Sequence, residues 1–251
     1  MIPIKDQDAI TQKFDAELAG PIKIDFFTER NLGITLPGKT PCQYCKPVRE
    51  MLQELAGLSD LISLRLHYFE DDPPEKATFG IERVPGIVLR GRTQSYLKFY
   101  GLPGGTEFPM FLESIIDISR NEVLLSEESV RSLETIAEDI SLRVFVTPTC
   151  QFCPAMMRAA FQMALASPHV RAETIEVTEF PELAERYQVR AVPLTVIADQ
   201  VAIPGMVDEK DVVKELMKLA KTRGSDTPDE PPPPPAKIER GKERKSGLYI
   251  P

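Results

Sequence analysis

The strongest constraint on this chain of 251 residues is an internal repeat. All four cysteines fall in two motifs of identical spacing that lie 108 residues apart, Cys42-Gln43-Tyr44-Cys45 and Cys150-Gln151-Phe152-Cys153. A Val-Pro dipeptide recurs with the same offset, as Val84-Pro85 and Val192-Pro193. Two motifs that share one offset indicate a duplicated unit of domain size, because solenoid repeats have much shorter periods.

The hydrophobic pattern predicts the same order of elements around both motifs. Apolar residues alternate in a short run before each cysteine pair, which predicts a strand, and recur every three to four residues after it, which predicts a helix. Each unit has the predicted order β-α-β-α-β-β-α after a leading helix, which in the second unit is expected from Val130 to Ile140. Such alternation predicts an α/β fold with a central mixed sheet flanked by helices in each unit.

The repeat and the composition together predict three parts. We expect residues 1–121 to form the first unit with Cys42 and Cys45, and residues 122–224 to form the second with Cys150 and Cys153. In residues 225–251, five consecutive prolines and dense charge predict a disordered or polyproline-II tail. The first unit also has an insertion, roughly Glu29 to Lys39, which we expect to be a surface loop beside its cysteine pair.

The charge and hydropathy of the chain indicate which classes of partner it does not bind and where in the cell it acts. The net charge of −8 is spread along the chain, which argues against non-specific nucleic-acid binding. There is no apolar run of about 18 residues, and Met1 to Gln12 lacks the pattern of a signal peptide. We therefore expect no nucleic-acid or membrane partner and a cytoplasmic location, where cysteine pairs are more often catalytic or metal-binding than structural.

A Cys-x-x-Cys motif that opens a helix suits thiol–disulfide exchange. The first sulfur faces unpaired backbone N–H groups and the positive end of the helix dipole, which favour thiolate over thiol. The second sulfur lies in the same turn and can attack a mixed disulfide formed by the first. Cys42 and Cys150 are therefore the predicted nucleophiles, and Cys45 and Cys153 are the predicted resolving cysteines.

The residues around the sulfurs suggest a surface for a peptide substrate. Tyr44 and Phe152 would supply apolar area next to the two pairs. Pro85 and Pro193 could simply mark the starts of strands. We favour cis Val-Pro bonds that present the backbone of Val84 and Val192 to an extended peptide.

Zinc is the main structural alternative for two Cys-x-x-Cys pairs. A zinc ribbon separates its pairs by about 15–20 residues, whereas the pairs here belong to two separate units. We therefore expect no metal site.

The combined pattern resembles the thioredoxin superfamily. Two such units in one chain are similar to the glutaredoxin-like protein disulfide oxidoreductases of thermophilic archaea and bacteria, and the resemblance covers residues 8 to 222. It implies two tandem thioredoxin-like units with the four cysteines, Pro85 and Pro193 as site residues. It also implies no bound cofactor beyond the redox-active disulfides, and a thioredoxin-reductase-like flavoprotein as electron donor. Where thioredoxins keep a buried proton acceptor in the first strand, Asp25 is the only candidate, and the second unit has none.

Three functions compete at this point. The leading one is an enzyme that forms, reduces or isomerises protein disulfides through both sites. The second is an electron relay, in which one site takes electrons from a flavin-dependent reductase and the other passes them to a peroxidase-type partner. The third is a zinc-stabilised adaptor that binds partners through its proline-rich tail. The sequence does not give the direction of the reaction, because superfamily members differ by about 150 mV in potential.

Overall fold

A computed structural model of the chain describes residues 2–30, 41–223 and 239–240. Of the insertion expected at 29–39, only Glu29 and Arg30 lie within this part of the chain. The tail expected at 225–251 lies outside it except for two residues, Glu239 and Arg240.

The elements follow the predicted order in both units. The helices are α1 Ile4–Glu17, α2 Cys45–Ala56, α3 Pro73–Phe79, α4 Glu107–Arg120, α5 Glu127–Leu133, α6 Cys153–Ala166, α7 Pro181–Arg186 and α8 Glu209–Arg223. The strands are β1 Ile22–Thr28, β2 Ile62–Tyr68, β3 Gly86–Arg90, β4 Tyr96–Tyr100, β5 Ile140–Val146, β6 Val170–Glu176, β7 Leu194–Ile197, β8 Val201–Pro204 and β9 Glu239–Arg240.

The helix that leads the second unit is shorter than the sequence pattern suggests. Ser126 caps α5 by accepting a hydrogen bond from the Ser129 amide, and the helix ends at Leu133. Ile140, expected to close this helix, instead begins β5 and pairs with Val170. The apolar spacing continues past the end of the helix because Ile136 is also buried, although it lies in the connecting segment.

The strands of the two units form one continuous mixed sheet, in the order β2-β1-β3-β4-β6-β5-β7-β8-β9. Within each unit a parallel pair is followed by two antiparallel pairings. The units are joined where β4 pairs in parallel with β6, with Lys98 opposite Glu173. The two-residue strand β9 pairs in parallel with β8 at one edge.

Buried residues form a hydrophobic core on each face of the sheet. On one face, Ile24 and Phe26 pack in a cluster that includes residues of α1, α2, α4, α6 and α8. On the other face, Phe27 packs in a cluster that includes residues of α3 and α7. Because successive side chains of a strand point to opposite faces, this alternation along β1 fixes which face each helix covers.

Buried polar contacts fasten the two units together. Glu173 accepts from Lys98 of the first unit at 2.5 Å and from Arg143 of its own unit at 2.8 Å, and all three side chains are largely buried. Helices of the two units are also in contact, because Asp117 of α4 binds Arg158 of α6 through two hydrogen bonds of 2.9 Å. None of the helices in the described ranges is long and apolar enough to cross a membrane.

Candidate active sites

Each cysteine pair lies at the start of a helix and forms a disulfide. Cys42 bonds Cys45 and Cys150 bonds Cys153, with Cα–Cα distances of 5.5 and 5.4 Å. Cys45 and Cys153 are the first residues of α2 and α6 and are buried, with 5% and 0% exposure. Cys42 and Cys150 are partly exposed. An incoming thiol or disulfide can therefore reach the first sulfur of each pair more readily than the second.

Sheet topology brings each cysteine pair to the same end of the sheet as a Val-Pro segment. β5 and β7 are antiparallel, with Phe145 opposite Leu194, so the residues after β5 and the residues before β7 lie at the same end of the sheet. β1 and β3 are related in the same way. Both Val-Pro bonds are cis in the structure.

The prolines of the two Val-Pro segments are tied to the adjoining hairpins. The carbonyl of Pro85 accepts the Gly101 amide at 3.0 Å, and that of Pro193 accepts the Gly205 amide at 2.8 Å. Pro85 and Pro193 are buried, whereas the preceding valines are partly exposed. The roles of Val84 and Val192 toward a peptide remain predictions.

The two sites lie at the same end of the sheet, where β1 and β5 terminate, but they are far apart. β1 and β5 run in the same direction, because the intervening β1–β3 and β3–β4 pairings are antiparallel and the β4–β6 and β6–β5 pairings are parallel. Four strand spacings separate β1 from β5 in the sheet, which amounts to about 19 Å. The sulfurs of one site therefore cannot reach those of the other by a side-chain rotation.

The second site receives hydrogen bonds from its own helix and from the first unit. The Cys153 amide donates to Sγ of Cys150 at 3.1 Å, which is the contact that would stabilise a thiolate there. Thr106, which precedes α4 of the first unit, donates from its hydroxyl to the Cys150 carbonyl at 2.9 Å. Its amide donates to the Pro148 carbonyl at 2.9 Å. The first unit thus contacts the backbone of the second site through Thr106.

The first site has different neighbours. The Cys42 amide donates to the carboxylate of Glu29, which places a negative charge close to the predicted nucleophile. Tyr44 is partly buried against the core, whereas its counterpart Phe152 is 55% exposed. Met206, which follows the Gly205 held by Pro193, is 59% exposed and adds apolar surface on the second unit.

The sequence analysis missed a buried carboxyl group that directly follows Thr106, the residue that contacts the second site. Glu107 directly follows Thr106 and is 0% exposed, and its Oε1 has no hydrogen-bond partner. Burial and the nearby Glu176 raise the pKa of Glu107 to about 8. Burial also raises the pKa of Glu179 to about 7, although that carboxylate accepts the Leu102 amide. The signal in the sequence is a glutamate at a helix start after two glycines, which is too common to stand out.

Asp25, the candidate proton acceptor of the first unit, is committed to an ion-pair network. It is 1% exposed and accepts from His67 at 2.8 Å and from Arg90 at 2.7 Å. Because Asp25 lies between Ile24 and Phe26, its side chain points to the sheet face opposite the one that α2 covers. The other nitrogen of His67 binds Asp72 at 2.6 Å.

The arrangement of the described residues does not form a four-thiolate metal site. The two cysteine pairs belong to different units and are each closed as a disulfide. Within the described ranges, no group of three or more cysteine, histidine or acidic side chains is arranged to hold a metal ion.

Comparison with known proteins identifies the fold. Residues 140–218 match the family model described as thioredoxin domain. Over 86% of this chain and 99% of the solved chain, the structure is similar to a variant of the alkylhydroperoxide reductase AhpF from Enterococcus faecalis, with a TM-score of 0.74 and 24% identity. It is also similar to a protein disulfide oxidoreductase from Aeropyrum pernix, over 88% of this chain and 94% of that one, with a TM-score of 0.75 and 22% identity. The expected fold of two tandem thioredoxin-like units is confirmed.

A curated relative is also similar to part of this chain. The alkyl hydroperoxide reductase AhpF from Xanthomonas campestris pv. phaseoli is 25% identical over 174 residues, which are 69% of this chain. The matched part is 31% of the relative, so this chain corresponds to only part of that protein.

Proposed function

We propose that this tandem thioredoxin-fold protein is a thiol–disulfide oxidoreductase that acts on protein disulfides, with the second site as the main substrate site. The observation that carries the proposal is the geometry at Cys150, a partly exposed residue whose sulfur accepts the amide at the start of α6. The exposed side chains of Phe152 and Met206 give this site an apolar surface for a substrate chain.

The reaction at this site proceeds by two exchanges. The Cys150 thiolate attacks one sulfur of a substrate disulfide, which forms a mixed disulfide and releases the other sulfur as a thiolate that takes up a proton. The Cys153 thiol then loses its proton and attacks Sγ of Cys150. This step releases the second substrate thiolate, which is also protonated, and leaves the Cys150–Cys153 disulfide. The reverse sequence would oxidise a dithiol substrate.

Glu107 is our candidate for the group that exchanges the proton of Cys153. It belongs to the same turn as Thr106, which contacts Cys150, and a buried carboxyl group with a pKa of about 8 can both accept and return a proton near neutral pH. Asp25 is a poorer candidate, because its carboxylate is already paired with His67 and Arg90.

Reduced protein must be regenerated by an outside donor of two electrons. We propose a flavoprotein of the thioredoxin-reductase type for this role and a cytoplasmic location for the reaction. The chain needs no bound cofactor in this scheme, because the disulfides themselves carry the electrons.

An electron relay to a peroxidase-type partner is the second candidate. The likeness to alkyl hydroperoxide reductase AhpF favours it. However, direct exchange between the two sites is opposed by the separation of about 19 Å between β1 and β5. A relay through this chain would therefore receive and pass on electrons at one site, or would need a mobile partner between the two.

Pairwise cysteine variants of the full chain test the proposal. We expect Cys150→Ser/Cys153→Ser to lower dithiothreitol-driven reduction of insulin by about a hundredfold or more, because the nucleophile is lost. The matched variant Cys42→Ser/Cys45→Ser should keep most of this activity. If neither pair exchanges with a dithiol buffer at neutral pH, the protein is not an oxidoreductase. If only the first pair supports insulin reduction, the assignment of the substrate site is wrong.

A further inference from the structure

The carbonyl group of Cys150 receives no amide from α6, because Cys150 lies outside this helix, which begins at Cys153. In an α-helix a carbonyl accepts the amide four residues further along the chain. For Cys150 that residue is Pro154, which has no N–H group. The amide of Cys153 is also committed, because it donates to the Cys150 sulfur. Without a donor from elsewhere, this carbonyl would be left unpaired beside the reacting atom.

Thr106 of the first unit supplies the missing donor. Its hydroxyl oxygen lies 2.9 Å from the Cys150 carbonyl oxygen and 3.1 Å from that of Pro148. A hydroxyl group has one proton to donate, and the Pro148 carbonyl already accepts the Thr106 amide at 2.9 Å. The hydroxyl proton is therefore available for Cys150.

The contact is held by the packing of the two units. Gly105 has a φ of +51°, and a Cβ at this position would lie 2.2 Å from the Pro148 oxygen, so only glycine allows this approach. Behind the turn, α4 is fixed to α6 by the paired hydrogen bonds between Asp117 and Arg158. The hydroxyl of Thr106 is thus presented by a rigid element of the first unit.

We propose that Thr106 is a positioning residue for the second site. By fixing the peptide group that follows Cys150, it keeps Sγ in line with the Cys153 amide and draws the carbonyl dipole away from the sulfur. Both effects stabilise the thiolate and therefore the reduced form of the pair. This inference rests on the proposed oxidoreductase function and adds that the first unit tunes the second site.

The first site does not have a proline at the position four residues after its first cysteine. Four residues after Cys42 stands Lys46, which has an amide proton, and the nearby proline comes one position later, at Pro47. The tuning by Thr106 is therefore expected to be specific to the second site.

The test uses the full chain with Cys42→Ser/Cys45→Ser as the parent, so that only the second pair titrates. Thr106→Val removes the hydroxyl group and keeps the shape, whereas Thr106→Ser keeps the hydroxyl group. Thr135→Val serves as the control, since that hydroxyl also donates to a backbone carbonyl but lies in the exposed segment after the end of α5. If the valine variant does not fold, Thr106→Ala replaces it as the variant without a hydroxyl group.

Two quantities are measured, the equilibrium with a dithiol buffer and the rate of Cys150 alkylation at neutral pH. Removal of the hydroxyl group should make the disulfide about three- to tenfold harder to reduce, as expected for one lost buried hydrogen bond, and should slow alkylation by a similar factor. Thr106→Ser and Thr135→Val should stay within about twofold of the parent.

The outcomes separate this inference from the proposed function. If the parent itself does not titrate reversibly, the oxidoreductase function fails. If the parent titrates and the variants without the hydroxyl group match it, or if Thr106→Ser is shifted as far as Thr106→Val, the role of Thr106 is overturned while the function stands.

Discussion

At the first site the amide of Cys42 donates to a carboxylate of its own unit, whereas at the second the carbonyl of Cys150 accepts from Thr106 of the other unit. This difference follows from how the repeats are joined. β4 of the first unit pairs with β6, and β6 is the counterpart of β2. The contact is head-to-tail and uses different edges of the two units, so only the second site acquires a neighbouring unit.

The two units also carry buried side chains of opposite charge at one equivalent position. Asp25 and Arg143 occupy equivalent positions in β1 and β5, because their partners in the adjacent strands are 108 residues apart. Asp25 is held by His67 and Arg90, and Arg143 by Glu173 and Asp199. The duplicated position has kept a buried ion pair and has reversed its sign. In the second unit this allows Glu173 to bind Lys98 across the junction.

The largest effect is expected from breaking that junction. Although burial disfavours its ionised form, Lys98 and Arg143 hold the pKa of Glu173 below its usual value. Glu173→Ala would leave two buried cations without this partner, which should cost about 3–5 kcal/mol of unfolding free energy. Urea unfolding of the full chain measures this loss. The control Glu122→Ala removes an exposed partner of Arg120 and should cost less than about 1 kcal/mol. Equal losses in both variants would show that the junction is not held by this pair.

A smaller effect should appear in the pH dependence of stability. The pKa of Glu107 is raised to about 8 in the folded protein, so its contribution is fully present below pH 4.5 and is lost as the pH rises through 8. Between pH 5 and pH 8, the unfolding free energy of the wild type should therefore fall by roughly 3 kcal/mol more than that of Glu107→Gln. Denaturant titrations at both pH values provide the comparison, with the exposed Glu128→Gln as control. Parallel pH profiles for Glu107→Gln and the wild type would contradict this burial of a protonated carboxyl group.

The smallest effect is expected at the first site. Glu29→Gln keeps an oxygen acceptor for the Cys42 amide and removes the negative charge near the sulfur. Because a nearby anion disfavours the thiolate, alkylation of Cys42 at neutral pH should become about two- to threefold faster. The experiment is made in the Cys150→Ser/Cys153→Ser background, and Glu50→Gln on the exposed side of α2 is the matched control. A slower reaction would mean that Glu29 supports the thiolate.

Local patterns in the sequence were sufficient to predict the two units and their reactive cysteines. The shared offset of 108 residues, the strand and helix periodicities and the two cysteine motifs predicted the order of elements correctly. They also predicted that each cysteine pair lies at the start of a helix, although the helices begin at the second cysteine of each pair. The helices, strands and cysteine motifs could be predicted from the sequence because each depends on residues within one turn or one strand. The helix before β5 was predicted too long, because burial of Ile136 continues the apolar spacing beyond the last helical residue.

What the sequence determined by itself is a duplicated α/β unit with one Cys-x-x-Cys helix start in each copy. Only the tertiary structure decided that β4 would meet β6, that Thr106 would contact the second site, and that Asp25 would be paired with His67 and Arg90. These residues are separated from their partners by about 40 positions or more, and their side chains have no periodicity that reveals the contact. Such contacts are fixed by strand register and by the edge at which the two sheets join, and these depend on the packing of the whole chain.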